Sequence, residues 1–244
     1  MALRDIYNVI IGTFCRLGIR NGDLIAIVNF VQWYRKAENR PDIKLYINPN
    51  VLVNKDYVHE FYKFLSTATD VFSLEEGYQN LPYHNVMLWD FRAITGDVVS
   101  IHNPHEQRKK VVVFPIYDAE YHTTRNWTDK LLNDTLWKYS LPGYEKILCV
   151  KDLPVNPVEL HGFTISTDFM SNIQHIMEAE IFIGGDTGVS HFASALTPGP
   201  SKLEYYYPDR GMIHTIPFHY FNGKGKLNKY WLNLEGTTYN GKKI

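Results

Sequence analysis

An apolar run that ends in two glycines and passes straight into a helix-like stretch constrains this 244-residue chain more than any other feature. The run is Ile181-Phe182-Ile183-Gly184-Gly185-Asp186-Thr187-Gly188, and after it Ser190 to Leu196 place small and apolar residues at helical spacing. Strand, turn and helix follow from that pattern. In open α/β sheets ligands bind beyond the carboxyl ends of strands, and the first turn of a helix offers unpaired N–H groups to an anion. Asp186 and Thr187 stand at that place, Gly188 lets a ligand approach the backbone, and His191, four residues after Thr187, falls on the same side of the helix. The same residues also suit a plain helix cap and a core histidine, and Asp-Thr-Gly alone does not choose between the two.

The remaining segments alternate strand-like and helix-like patterns, the signature of a parallel sheet. In the first half, Ile6 to Phe14 is strand-like, a loop holds Gly18, Asn21 and Gly22, and from Asp23 the spacing of Leu24, Ile27, Val28, Val31 and Tyr34 predicts a helix to Arg35 or Ala37. Ile43 to Ile47 alternates as a strand, completing a right-handed βαβ unit. Asn54 can cap a helix to Phe64 or Leu65, and short strands are expected at Val71-Phe72, Val86 to Trp89 and Val98 to Ile101. The polar stretch Asn103 to Lys110 is the candidate linker, dividing the chain into domains at 1–105 and 106–244. The pattern then restarts: strand Val111 to Ile116, polar loop Tyr117 to Asn126, and a helix that Thr128 can cap, running to about Tyr139. Strands at Lys146 to Val150 and Phe163 to Ile165, a helix over 168–180, a strand at Leu203 to Tyr207 and an aromatic tail complete the second half. The expected fold is α/β, with two Rossmann-like domains facing each other across a cleft.

Composition narrows the functions. With 45% hydrophobic and 21% charged residues the chain can bury a real core, and its formal net charge of −1 gives no general pull towards nucleic acid or acidic membranes. Local basic patches remain open to it, from Arg16, Arg20, Arg35, Lys36 and Arg40 or from Arg108 to Lys110. Cys15 and Cys149 are too few for a disulfide framework or a zinc site, and Met-Ala-Leu-Arg-Asp does not read as a signal peptide, so a reducing, cytoplasmic location is expected. No run approaches the roughly 18 to 20 apolar residues that span a bilayer. The glycines around Gly18 and Gly22, like Gly184-Gly185, are not spaced as Gly-X-Gly-X-X-Gly, which argues against a dinucleotide dehydrogenase.

Taken with Thr167 to Glu180 before it, the Ile181 to Leu196 stretch resembles the heptosyltransferase-like glycosyltransferases of the B-type fold. In that family a helix leads into an apolar strand, an Asp-Thr-Gly, a His three residues beyond the Gly, and an Ala-rich helix. Gly22-Asp23-Leu24 matches the family's Gly-Asp after the first strand, and Glu120-Tyr121-His122-Thr123-Thr124-Arg125-Asn126-Trp127 matches the loop that opens its second domain, with Arg125 in place of the more usual Lys. The resemblance implies a metal-independent, inverting transfer from a nucleotide-diphosphate sugar to a hydroxyl of a glycan or other acceptor. Asp23 would act as general base, with Asn21 and Gly22 beside it on the acceptor side. Thr123, Thr124, Arg125, Asp186, Thr187, Gly188 and His191 would hold the donor. No Asp-X-Asp triplet, the usual metal-binding mark of the other large glycosyltransferase fold, occurs in the chain, and no cofactor besides the donor is expected. Two alternatives belong to other classes: a transferase acting on hydroxymethylated DNA bases, and an inactive nucleotide-sugar-binding module. After Leu196 the chain departs from the family, with Thr197-Pro198-Gly199-Pro200-Ser201-Lys202 where members continue Gly-Lys-Pro.

Overall fold

The computed structural model describes residues 25, 28, 32, 35, 39, 41, 45–46, 55–69, 72–73, 100–115, 127–150, 159–185, 187–209, 225–231, 238–239 and 242–243. The chain divides into two compact units, the first running to His102 and the second beginning at Asn103. In the first unit, Ile25, Val28, Gln32 and Arg35 are helical, inside the range expected for the helix after Asp23, and Ile25 and Val28 are fully buried. Gln32 ties this helix to Ser100, donating from Nε2 to the carbonyl at 2.9 Å and accepting from the amide at 3.3 Å. Strands β1 (Leu45–Tyr46) and β2 (Phe72–Ser73) pair in parallel, as a βαβ connection demands, and helix α1 (Lys55–Thr69) lies between them in sequence. Phe61, Tyr62 and Leu65 form the buried stripe of α1. The helix runs four residues beyond the expected end at Leu65 because nothing in Ser66-Thr67-Ala68-Thr69 breaks it, and the three hydroxyls fold back onto carbonyls of the preceding turn. A further strand, β3 (Ile101–His102), ends the unit. The strands expected at Ile6 to Phe14 and Val86 to Trp89 lie outside the described residues, as do Asn21, Gly22 and Asp23.

The second unit is a six-stranded parallel sheet. Its strands are β4 (Arg108–Phe114), β5 (Glu145–Cys149), β6 (Thr164–Ser166), β7 (Ala179–Gly185), β9 (Lys202–Asp209) and β10 (Gly225–Trp231), and β8 (Leu196–Thr197) is a two-residue strand outside it. Across the sheet they stand in the order β10-β9-β7-β4-β5-β6. Among the described residues three helices connect them: α2 (Asp129–Lys138) after β4, α3 (Phe169–Glu178) after β6 and α4 (Gly188–Ala195) after β7. The chain starts in the middle of the sheet, winds outward through β5 and β6, then crosses back over α3 to β7 and winds outward on the other side. With right-handed crossovers, a reversal of winding direction puts α2 on one face and α3 and α4 on the other.

Side-chain alternation agrees with this layering. Val111, Val113, Leu148, Val150, Ile181 and Ile183 form one buried cluster with Leu132 and Leu136 of α2, while Lys110, on the opposite face, bonds to α3. Every residue of β7 except Glu180 is buried, as expected of a strand covered on both faces. Thr128 caps α2, its Oγ1 accepting from Leu131 N at 3.1 Å, and Asp168 caps α3 by accepting from Ser171 N at 2.7 Å. A short antiparallel pair, β11 (Thr238–Tyr239) and β12 (Lys242–Lys243), closes the described chain.

Two expectations change at the segment ends. The helix expected over 168–180 stops at Glu178, and Ala179 and Glu180 already belong to β7, because pairing with β4 begins at Arg108 opposite Ala179. Asn103 to Lys110, expected as a linker, is built into the second unit. Asn103 Nδ2 donates to the Met177 and Pro198 carbonyls at 2.8 and 2.9 Å, and Arg108 to Lys110 open β4. The sequence signal there was polarity, and what hides it is a buried ion cluster. Lys110, only 2% exposed, donates to Glu178 Oε2 at 2.6 Å, has Glu145 Oε2 at 3.3 Å and meets His175 Nδ1 at 3.2 Å. Arg108 and His105 approach the Glu178 carboxylate at 3.9 Å each, and Gln174 donates to it at 3.2 Å. Burial alone would raise the Glu178 pKa, but the hydrogen bonds from Lys110 and Gln174 and the charges of Lys110 and Arg108 outweigh it and hold the carboxyl below its ordinary value. Burial, reinforced by the Lys110 charge, lowers His175 against the opposing pull of Glu145 and Glu178.

Candidate functional site

Numbered by chain position within the sheet, the six strands run 3-2-1-4-5-6, with β4 first and β7 fourth. That is the strand order of doubly wound nucleotide-binding sheets, in which ligands settle where the winding reverses, outside the carboxyl ends of strands 1 and 4. Here that place is the edge between β4 and β7, where Phe114, the last residue of β4, is the direct partner of Gly184, the last but one of β7. Both stretches that the sequence singled out as donor-binding leave from it. The connection carrying Thr123, Thr124 and Arg125 joins the end of β4 to Trp127 at the start of α2, and the Asp186-Thr187-Gly188 turn joins β7 to α4. Thr123, Thr124, Arg125 and Asp186 themselves lie outside the described residues.

The turn after β7 is tightly held. Thr187 is the N-cap of α4, with Ser190 N donating to its carbonyl at 3.1 Å and, more weakly, to its Oγ1 at 3.4 Å. Thr187 N donates back to the Gly185 carbonyl at 2.9 Å, and the buried Ser190 Oγ donates to that same carbonyl at 2.5 Å. A single carbonyl oxygen thus anchors both the turn and the first coil of the helix. Because Thr187 N–H is committed inward, the amides of Gly188 and Val189 are the first-turn donors that a capped helix leaves without an intrahelical partner. They carry the positive end of the α4 dipole at the switch point. His191, one turn on, is 9% exposed and sits in the buried row Val189 to Ala195, with its amide 3.4 Å from the Thr187 carbonyl.

Gly184 explains why this elbow can be so close. A Cβ there would stand 2.5 Å from Ser190 Oγ and 2.6 Å from the Phe182 ring, distances no methyl group tolerates. Gly184→Ala is therefore expected to destabilise the protein by about 1–3 kcal/mol through overpacking. A urea-denaturation comparison checks it, and a change within about 0.5 kcal/mol, the range of ordinary surface substitutions, would show that the elbow yields freely. The sequence marked Gly184-Gly185 as a turn signal without separating their roles. Ser190 was not singled out at all, since a serine in a helix carries no pattern of its own.

Among the described residues no group of three or more His, Cys, Asp or Glu side chains is placed to hold a metal ion, and no helix is long and apolar enough to cross a membrane. The fold defines a class: an α/β protein whose parallel sheet has a Rossmann-like order and a switch point formed by β4, β7 and the amino end of α4. Compared with family models, curated proteins and solved structures, the chain matches none.

Proposed function

We propose that the β4–β7 switch point binds the diphosphate of a nucleotide sugar and that the protein is a metal-independent, inverting glycosyltransferase of the B-type fold. One observation carries the reading: the strand order brings two loops that are far apart in sequence, 116–126 and 186–187, to the ends of adjacent parallel strands. Each loop holds groups suited to an anion. Thr123, Thr124 and Arg125 supply hydroxyls and a guanidinium, and the second loop supplies the Thr187 hydroxyl and the Gly188 and Val189 amides, with Asp186 and His191 alongside. Such a cluster stabilises charge that collects on a departing diphosphate, which removes the need for a metal. Asp23, with Asn21 and Gly22 beside it, takes the proton from the acceptor hydroxyl as that oxygen attacks the anomeric carbon from the face opposite the diphosphate. The acceptor is a glycan or another hydroxyl-bearing molecule. The cytoplasm, where nucleotide sugars are made, is the compartment this chemistry calls for.

The test is a thermal-shift and calorimetric screen of the ADP, UDP, GDP and dTDP sugars, with and without magnesium. A ligand at a hundred times its Kd adds about 2.7 kcal/mol of stability, well within detection. One base should stand out, indifferent to magnesium, and Asp186→Ala or Thr187→Ala should weaken it. Absence of any shift across the panel would overturn the reading.

A further inference from the structure

Away from the switch point, at the β5–β6 edge of the sheet, a groove of about 640 Å³ runs between the sheet and α3. Glu145 and Ile147 of β5, Thr164 and Ser166 of β6, and Ser171 and His175 of α3 line it. The register explains why these six converge. Ile147 is opposite Thr164, so alternate residues 145, 147, 164 and 166 point to the α3 side, while Ser171 and His175 are one helical turn apart on the facing helix.

The hydrogen-bonding character of the walls is fixed by the buried cluster behind them. A lysine ammonium can only donate, so His175 Nδ1, 3.2 Å from Lys110 Nζ, accepts, and the imidazole proton sits on Nε2. Glu145, half exposed, gives one carboxylate oxygen to Lys110 at 3.3 Å and keeps acceptor capacity for the groove. The hydroxyls of Thr164 and Ser166 both donate and accept, while that of Ser171, which donates its proton to the Asp168 carboxylate, accepts. Charge is balanced among the residues that line the groove, where Lys146 offsets Glu145. An ion therefore gains little from entering. A ligand that is itself uncharged and offers many groups able to donate and accept gains most, and Ile147 provides an apolar spot for its C–H face. We propose that this groove is a binding site for a small uncharged polyhydroxylated molecule, a mono- or disaccharide. The site does not depend on the nucleotide-sugar reading.

Saturation-transfer NMR on the full chain, with glucose, galactose, mannose, maltose and lactose as probes, tests it. At least one should receive saturation at millimolar concentration. Ser171→Trp, at an exposed helix position where a large ring is tolerated by the fold, should fill the groove and abolish the signal. Glu145→Gln should weaken binding about tenfold by removing a charge-assisted acceptor. A thermal melt confirms that each variant is folded. No transfer to any of the five sugars overturns the proposal, as does a signal that survives Ser171→Trp unchanged. Displacement of the sugar by a nucleoside diphosphate would also overturn it, since that ligand would then sit at the switch point.

Discussion

Replacing Lys110 by alanine is expected to cost about 3–5 kcal/mol, a large share of the stability of a domain this size. The reason is what the substitution leaves behind: Glu178, a buried carboxylate that loses a 2.6 Å partner and keeps only Gln174 and the more distant Arg108 and His105. The pair itself is not the source of the stability. Desolvating two charges offsets most of their attraction, so Lys110→Met combined with Glu178→Leu should recover most of the loss. Urea denaturation of Lys110→Met, Glu178→Leu and the double variant closes the cycle, and a double variant as unstable as the sum of those two singles would refute this account.

The same cluster sets an acid limit. Both Glu178 and His175 have folded pKa values below their ordinary values of 4.5 and 6.5, so the unfolded chain takes up protons more readily than the folded one. Their contribution is fully present above 6.5, begins to fall as His175 is driven to titrate, and falls further as pH drops through 4.5 and towards the depressed pKa of Glu178. His175→Gln should remove the first of these two steps and leave the second. Stability measured against pH in the two proteins is the check.

If the protein is the glycosyltransferase proposed above, Asp23→Asn is expected to lower the rate of sugar transfer by about 10²–10⁴-fold while leaving donor affinity unchanged. Asparagine keeps the shape and hydrogen-bonding reach of the side chain but cannot accept the acceptor's proton. The opposite pattern is expected at Thr187→Ala, where donor binding should weaken because the cap of α4 and one hydroxyl of the proposed diphosphate site are lost together. Single-turnover rates and donor titrations on the two variants separate the roles. Equal losses of donor binding in both would remove Asp23 from the base position and place it with the donor.

Much of the second unit was legible in the chain. Val111 to Phe114, Lys146 to Cys149 and Ile181 to Gly185 are compact apolar runs between polar turns, and each is a strand of the parallel sheet. Thr128, expected as a cap by its position before helical spacing, is one, and Thr187, for which a cap was one of two readings, caps the helix after β7. These features are local: periodicity and capping act over a few residues, so neighbours in sequence suffice to specify them. The ends of segments were less legible. Arg108 to Lys110 looked like a linker because charge in sequence does not reveal whether a partner awaits it, and Glu178, 68 residues further on, supplies that partner.

The sequence by itself determined the apolar centres of β4, β5 and β7 and the helices at 129–138 and 169–178, whereas β10 lies in a tail whose sequence carried no strand pattern. Only the tertiary structure decided that the β4 and β7 ends are neighbours, that Gly184 must lack a side chain because Ser190 Oγ occupies its space, and that Lys110 is buried rather than solvated. Each of those depends on strand order and register, which are set by contacts between residues tens of positions apart, where no local pattern in the chain can record them.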